Sequence, residues 1–228
     1  ARLDEVIGRV PNSASSWTSD QQNWRTSNYL NYTDTFGKHS LTLLVGQDIE
    51  HDKYQVTSAD GYFGSSDQIK VVQGFLQDYI GAYSDYQAWG LLSYYSRLSY
   101  DFDDGYVLSG SIRTDGSSRF GKDSRFGWFP SASGAWLLSE EDFLKDNGTF
   151  TLLKLRASYG TTGNLPRDNY LPYSTYNVNA GGNAGNDGAP SYNGVTAVTP
   201  NFRNGVAQDG LTWERGNSWN IGTDIELF

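Results

Sequence analysis

Between residues 91 and 102 apolar and polar positions alternate. Leu92, Tyr94, Leu98, Tyr100 and Phe102 fall on even positions, interrupted only by Ser96, with Ser93, Tyr95, Arg97, Ser99 and Asp101 between them. A period of two gives a strand with two unlike faces, because successive side chains point opposite ways. Asp103-Asp104-Gly105 then predicts a tight turn, with the glycine free to take positive φ. The return segment from Tyr106 to Arg113 sets Tyr106, Leu108 and Ile112 against Ser109, Ser111 and Arg113. The same alternation places Phe126, Trp128, Ala132, Trp136 and Leu138 on one face of a further strand. It separates Leu153, Leu155, Ala157 and Tyr159 from Lys154, Arg156 and Ser158. From Trp213 to Phe228, Trp219, Ile221, Ile225 and Leu227 oppose Asn220, Asp224 and Glu226. Near the start, 24–36 and 39–50 form a hairpin closed at Gly37-Lys38, with Leu41, Leu43, Val45 and Ile49 sharing a face. The pattern thus predicts seven antiparallel strands, most of about ten residues or more. That is the length of a tilted membrane strand and longer than the 5–6 usual in globular sheets.

The connections alternate short and long: 37–38, about 52–88, 103–105, 115–125, 139–149 and 163–211. Outer-membrane barrels join strands by short periplasmic turns and longer extracellular loops. This orients the chain, with 37–38, 103–105 and 139–149 toward the periplasm. Tyr100, Phe102, Tyr106 and Trp136 then fall near the periplasmic rim, and Trp128 and Tyr159 near the outer rim. The Gly/Asn-rich run Ala180–Gly188 in the longest connection cannot bury a core. No strict repeat and no domain boundary is visible.

Composition supports the two-faced strand. Of 228 residues 15% are aromatic (7 Trp, 16 Tyr, 11 Phe), whereas hydrophobic residues overall reach 37% and glycine numbers 26. A conventional core of this size leans on Leu, Ile and Val; aromatic girdles diluted by polar residues suit a membrane barrel. A net charge of −9 argues against a nucleic-acid partner. Cysteine is absent, which removes disulfides and thiolate metal sites. No stretch approaches the apolar length of a membrane helix. The opening Ala1-Arg2-Leu3-Asp4 is not a signal peptide, as expected for a mature domain or an internal piece.

Several segments resemble the SusC/RagA family of TonB-dependent outer-membrane transporters. They are Leu92-Ser-Tyr-Tyr-Ser-Arg-Leu-Ser-Tyr100, Ile112-Arg-Thr-Asp-Gly-Ser-Ser-Arg-Phe-Gly121 and Phe129-Pro-Ser-Ala-Ser133. Leu153-Lys-Leu-Arg-Ala-Ser-Tyr-Gly160 follows, with Thr162-Gly-Asn164, Leu211-Thr-Trp-Glu214 and Trp219-Asn-Ile-Gly-Thr-Asp224 after it. Thr35–Leu41 matches in style, so the resemblance covers about 35–228. It implies uptake of glycans or peptides through a plugged barrel of about 22 strands, a SusD-like surface lipoprotein over the mouth, and drive from TonB. Plug and TonB-engaging motif are not in this sequence. Seven strands are about a third of such a wall, and the end at Phe228 is expected to be a truncation. With two unpaired edges, the segment alone is expected to aggregate rather than melt cooperatively. The competing class is a secreted or surface β-rich binding or adhesin domain.

Candidate chemistry reduces to the polar face and the loops. Gly116–Asp123 nearly matches a phosphate loop, but Asp123 replaces the metal-binding hydroxyl and a strand follows. Arg119, Lys122 and Arg125 are instead expected near the barrel mouth. Asp101, Asp103 and Asp104 lack calcium-loop spacing. Ser139 with Asp142 resembles a helix-start signal rather than part of a catalytic carboxylate pair. His39 and His51 are too far apart for a zinc motif. Neither an enzyme nor a cofactor is expected. Arg97, Asp101, Arg113, Asp115, Lys154, Arg156, Asp224 and Glu226 are expected to face the lumen, pairing with one another or with the plug rather than meeting substrate. The loop aromatics Tyr62, Phe63, Tyr83, Tyr86, Trp89, Tyr173, Tyr176 and Tyr192 can stack on sugars, pack against a lipoprotein lid, or pack within the loops.

Overall fold

The computed structural model describes residues 12–66, 68–77, 80–145, 149–178, 191–192, 195–196, 198–201 and 206–227. Seven long strands form one sheet. They are β1 (Ser13–Phe36), β2 (His39–Tyr62), β3 (Ile80–Phe102), β4 (Tyr106–Ser117), β5 (Phe126–Leu137), β6 (Phe150–Asn164) and β11 (Glu214–Leu227), in the order β1-β2-β3-β4-β5-β6-β11. Every partner is the next long strand along the chain, so β1 and β11 are left as edges. Two short pairs lie between β6 and β11: β7 (Thr175–Val178) with β10 (Val198–Asn201), and β8 (Ser191–Tyr192) with β9 (Val195–Thr196). The Ala180–Gly188 run, the N-terminal residues before Asn12 and Phe228 lie outside the described residues, as does the side chain of Tyr192.

The first three strands are far longer than the alternation indicates. β1 and β2 each have 24 residues and β3 has 23. The connection expected at 52–88 is therefore only 63–79, and Tyr62, Tyr83, Tyr86 and Trp89 are strand residues rather than loop residues. The reason is visible in the sequence of the extensions: Asp20, Gln21, Asp52, Lys53 and Asp85 occupy both faces. With no dry face to select apolar residues, no period of two is written. Likewise β4 continues to Ser117, and β5 ends at Leu137, so Leu138 belongs to the following 3₁₀ turn. Trp213 precedes β11.

The chain divides into two compact units. One comprises Trp24–His51, Trp89–Pro172 and Gln208–Phe228; the other comprises Ala1–Asn23, Asp52–Ala88 and Tyr173–Ala207.

In the first unit the turns are chemically specific. Gly37 takes φ +63 in the β1–β2 turn. In the β3–β4 turn the positive φ falls on Asp103 and Asp104 (φ 53 and 54), not on Gly105 as the sequence suggests. Aspartate visits the left-handed region more readily than most residues, and Asp101 closes the turn, its Oδ1 accepting from the Asp104 amide at 3.2 Å. Lys38 pairs with Asp103, linking neighbouring turns. The 138–149 connection opens with a 3₁₀ turn over Leu138–Glu140, with Leu137 as its unbonded cap; Ser139 lies inside the turn and its buried Oγ has no partner among the described residues. The helix-start expectation there fails for that reason.

Register fixes the two faces. Arg97 opposes Ser111, Ser111 opposes Ser131, Ser131 opposes Gly160 and Gly160 opposes Ser218. The next row runs Ser99, Ser109, Ser133, Ser158 and Asn220. Hydroxyls meet at 3.2 Å between Ser99 and Ser109, and at 2.7 Å between Ser111 and Ser131. The other face carries Leu98, Leu108, Ile112, Leu155 and Ile221, which are 45%, 56%, 45%, 40% and 74% exposed. These residues meet in no shared core, so this is not half of a sandwich.

Candidate functional site: a charged wall, an apolar wall and an inner shelf

All eight sequence-proposed charges lie on the polar face. Arg97 and Asp101 on β3 alternate with the apolar set, and Arg113 and Asp115 follow on β4. Lys154 and Arg156 on β6, with Asp224 and Glu226 on β11, share that side through the β5–β6 and β6–β11 registers. They form no single cluster. Arg156 lies across Gly222, bonding Asp224 Oδ1 at 3.3 Å through Nε and Asn220 Oδ1 at 3.2 Å through Nη1. A Cβ at residue 222 would sit 2.9 Å from the guanidinium carbon, so glycine leaves room for that side chain.

The tightest group contains residues the sequence did not single out. Asp48 on β2, only 6% exposed, receives Arg25 Nη2 from β1 at 2.7 Å and lies 3.8 Å from Arg113 Nη1 on β4. Arg113 Nε bonds both oxygens of Asp115 at 2.7 and 2.9 Å. The Tyr95 hydroxyl donates to Asp48 Oδ1 at 3.3 Å, and the Arg113 guanidinium lies 5.4 Å from the Tyr95 ring centre. Gly46 makes this possible: a Cβ there would stand 2.4 Å from the ring. The only sequence signal for Asp48 was alternation with Ile49; its partners lie on strands 23 and 65 residues away. Arg113→Ala is expected to cost about 1–3 kcal/mol, because nearly buried Asp115 loses its charged donor and Asp48 loses a neighbouring cation. Arg25→Ala should cost less, since Arg113 still approaches Asp48; paired denaturation midpoints would check the order.

The apolar wall is bounded by rings at its short-turn end. Phe36, His39, Phe102, Tyr106 and Trp136 follow one another with centroid separations of 5.3, 4.9, 6.2 and 6.0 Å. His39 Nδ1 lies 2.6 Å from the Tyr100 hydroxyl. Glu141, in the turn, accepts both the Tyr106 hydroxyl at 2.6 Å and Trp136 Nε1–H at 2.8 Å. Those two donors hold its carboxyl below the ordinary glutamate range, Tyr106 having the larger effect. The clasp is therefore intact at and above ordinary glutamate pKa values and is lost as pH falls through the depressed one. Protonation on acidification should change Trp136 emission, and Glu141→Gln should abolish that acid step. At the other end stand Tyr94, Phe126 and Trp128, each about half exposed. Tyr94 and Phe102, like Trp128 and Trp136, are eight positions apart, which is roughly 26 Å of strand.

Above the serine rows, on the polar face, sits a hydrophobic shelf. Phe120 from the 118–125 turn is fully buried against Phe129 of β5 and Trp213, both 7% exposed, with Leu91, Leu165 and Leu211 packed around them. Trp213 Nε1–H donates to the Arg125 carbonyl at 2.9 Å. Gly127 and Gly163 make room, since a Cβ on Gly163 would meet the Phe129 ring at 2.2 Å. Arg119 caps the shelf, 4.4 Å from the Trp89 ring centre and bonded to Asn169 Oδ1 at 2.8 Å and the Pro166 carbonyl at 2.9 Å. The phosphate-loop-like segment is thus a packing element. Trp89 is engaged by a cation rather than held out on a loop. Tyr173 and Tyr176, before and within β7, are 44% and 58% exposed.

A sheet of long neighbouring strands, wet and ion-paired on one side and apolar between aromatic bands on the other, defines the wall of a membrane β-barrel. Comparison agrees: the family model described as TonB dependent receptor-like, beta-barrel matches residues 4–228, and the chain belongs to that family. TonB-dependent receptor P39 of Formosa agariphila is 34% identical over 208 residues, covering 90% of this chain and 19% of that protein. TonB-dependent receptor SusC of Bacteroides thetaiotaomicron is 40% identical over 138 residues, 59% of this chain and 13% of that protein. A solved structure of the RagAB peptide transporter superposes with a TM-score of 0.80 at 25% identity, over 94% of this chain and 22% of that one. The chain spans about a fifth of the length of the curated relatives that align along most of it.

Proposed function

We propose that this chain forms part of the wall of an outer-membrane importer that takes up glycans or peptides in a TonB-dependent cycle. The observation that carries this reading is the exposed apolar face between aromatic bands, opposite a face that carries the charges, several of them in ion pairs. Such a surface is costly in water and suits lipid, which also argues against a secreted adhesin. In this reading the short turns at 37–38 and 103–105 face the periplasm. Arg97, Asp101, Arg113, Asp115, Lys154, Arg156, Asp224 and Glu226 line the lumen, where they pair with one another or with a plug. A SusD-like lipoprotein covers the mouth, and TonB acts through the plug. The chain itself contributes passage and shape, with no catalytic step. The name of the RagAB relative makes peptides one substrate class, and the SusC resemblance makes glycans the other.

This chain has no cysteine, so single cysteines placed in it report topology once any cysteines elsewhere in the full-length protein are replaced. In the full-length protein in cells, Cys at Ser131 is expected to react with a small hydrophilic maleimide, and Cys at Leu98 or Ile221 is not. Equal labelling at all three would sink the membrane reading. Disruption of the full-length gene should abolish growth on one oligosaccharide or peptide source, with the same loss in a strain lacking TonB. Undiminished growth on every source would sink the import reading.

A further inference from the structure

The unit formed by the outer parts of β1, β2 and β3 holds an unexplained surface. Asn23 and Gln21 donate to Asp52 Oδ2 at 3.3 and 3.1 Å, which puts the odd positions of β1 and the even positions of β2 on one face. The Phe63 amide meets the Asn12 carbonyl at 3.0 Å at the far end, so the register is unbroken and Trp17 stands opposite Ser58. Lys53 lies 5.6 Å from the Tyr86 ring centre on the reverse face. Alternation then returns Tyr83 and Asp85 to the Trp17 side.

Trp17 and Tyr83 are 71% and 56% exposed, two strands apart on one face of a ribbon. Two inter-strand spacings put them roughly 10 Å apart, with a serine between. Both rings are more than half exposed, and both faces of this ribbon are largely polar, so lipid does not account for them. Alternation sets serines, Gln21, Asn23, Tyr54, Val56 and the carboxylates Asp52, Asp60 and Asp85 on this side, and no lysine or arginine of β1–β3 lies on this side of the unit. Two of its carboxylates are engaged by neutral donors: Asp52 by Gln21 and Asn23, and Asp85 by the Gln87 amide at 3.1 Å.

We propose that this face, centred on Trp17 and Tyr83, is a binding surface for a neutral oligosaccharide. The apolar face of a sugar ring covers an indole or phenol without competing for charge, and polarised amides meet its hydroxyls. The lack of a β1–β3 cation on this face disfavours sulfated or uronic chains. Asp52 and Asp85, already holding amides, offer little to a basic peptide, and Asp60 makes such a peptide the competitor that the test separates. The proposal rests on the importer reading only in supposing that glycan reaches this surface.

The test uses the full-length transporter in detergent, titrated calorimetrically with neutral hexasaccharides (malto-, xylo-, cello- and manno-), a polygalacturonate oligomer and a lysine-rich peptide. One or more neutral hexasaccharides should bind, weakening about tenfold in Trp17→Ala and in Tyr83→Ala, while Trp17→Phe and Tyr83→Phe keep most of the affinity. Both aromatics are exposed, and unchanged heat-modifiable migration would certify the fold of each variant. Three outcomes overturn the proposal: no neutral sugar binds, alanine variants bind as tightly as the parent, or only the peptide or the acidic sugar shows the aromatic dependence. TonB-dependent growth measured on the same variants separates the two readings. Import that persists with unchanged sugar binding rejects this surface and leaves the importer standing.

Discussion

Trp213→Ala is expected to loosen the inner shelf by about 3–5 kcal/mol, the range for deleting a large aromatic from a packed site. Trp213 touches Phe120 and Phe129 at ring separations of 4.8 and 5.2 Å and also ties the Arg125 carbonyl. Its loss leaves a cavity and an unbonded carbonyl together. The 118–125 turn and the segment where the Gln208 N–H donates to the Leu171 carbonyl at 2.9 Å should lose protection together. Hydrogen exchange on the full-length protein would show this as coupled deprotection with the strand amides unchanged. Trp213→Phe should cost much less, roughly 1 kcal/mol for the indole hydrogen bond. Unaltered exchange in Trp213→Ala would mean the shelf is held by backbone pairing alone.

The second large effect belongs to the opposite face. Leu98 is midway between Tyr94 and Phe102, opposite Gly110, and 45% exposed. Placing a charge there should cost about 2–4 kcal/mol if the residue meets the bilayer midplane. Leu98→Arg is therefore expected to lower the amount of folded, heat-modifiable protein recovered in outer-membrane fractions. Ser131→Arg, on the exposed polar face, should leave it near the parental level. Arg97 already shows that the polar face one residue away accepts a guanidinium. Equal recovery of the two variants would deny the lipid-facing assignment.

How much of this was legible in the sequence depends on whether one face of a strand meets a uniform environment. Where Leu98, Leu108, Ile112, Leu155 and Ile221 share a dry side, alternation found the strands, their faces and nearly their ends. Where β1, β2 and β3 run on with polar residues on both sides, it read a loop over 52–88 of which only 63–79 is connection, and Tyr83 and Tyr86 were misplaced with it. The motifs Gly116–Gly121, Phe129–Ser133, Thr162–Asn164 and Leu211–Glu214 were visible as family-like strings. Their reason was not, because Phe120, Phe129, Gly163 and Trp213 come together only through the sheet. Asp48 shows the same limit. One aspartate before Ile49 carries no mark of the two arginines that close around it.

The serine rows have a consequence of a different kind. In the contacts of Ser99 with Ser109 and of Ser111 with Ser131, either oxygen can be the donor. A hydroxyl changes role by turning one proton about one bond. Such a wall can therefore offer a hydrogen or a lone pair at the same point in space. Its polarity is reversible while every heavy atom of the strand stays where it is.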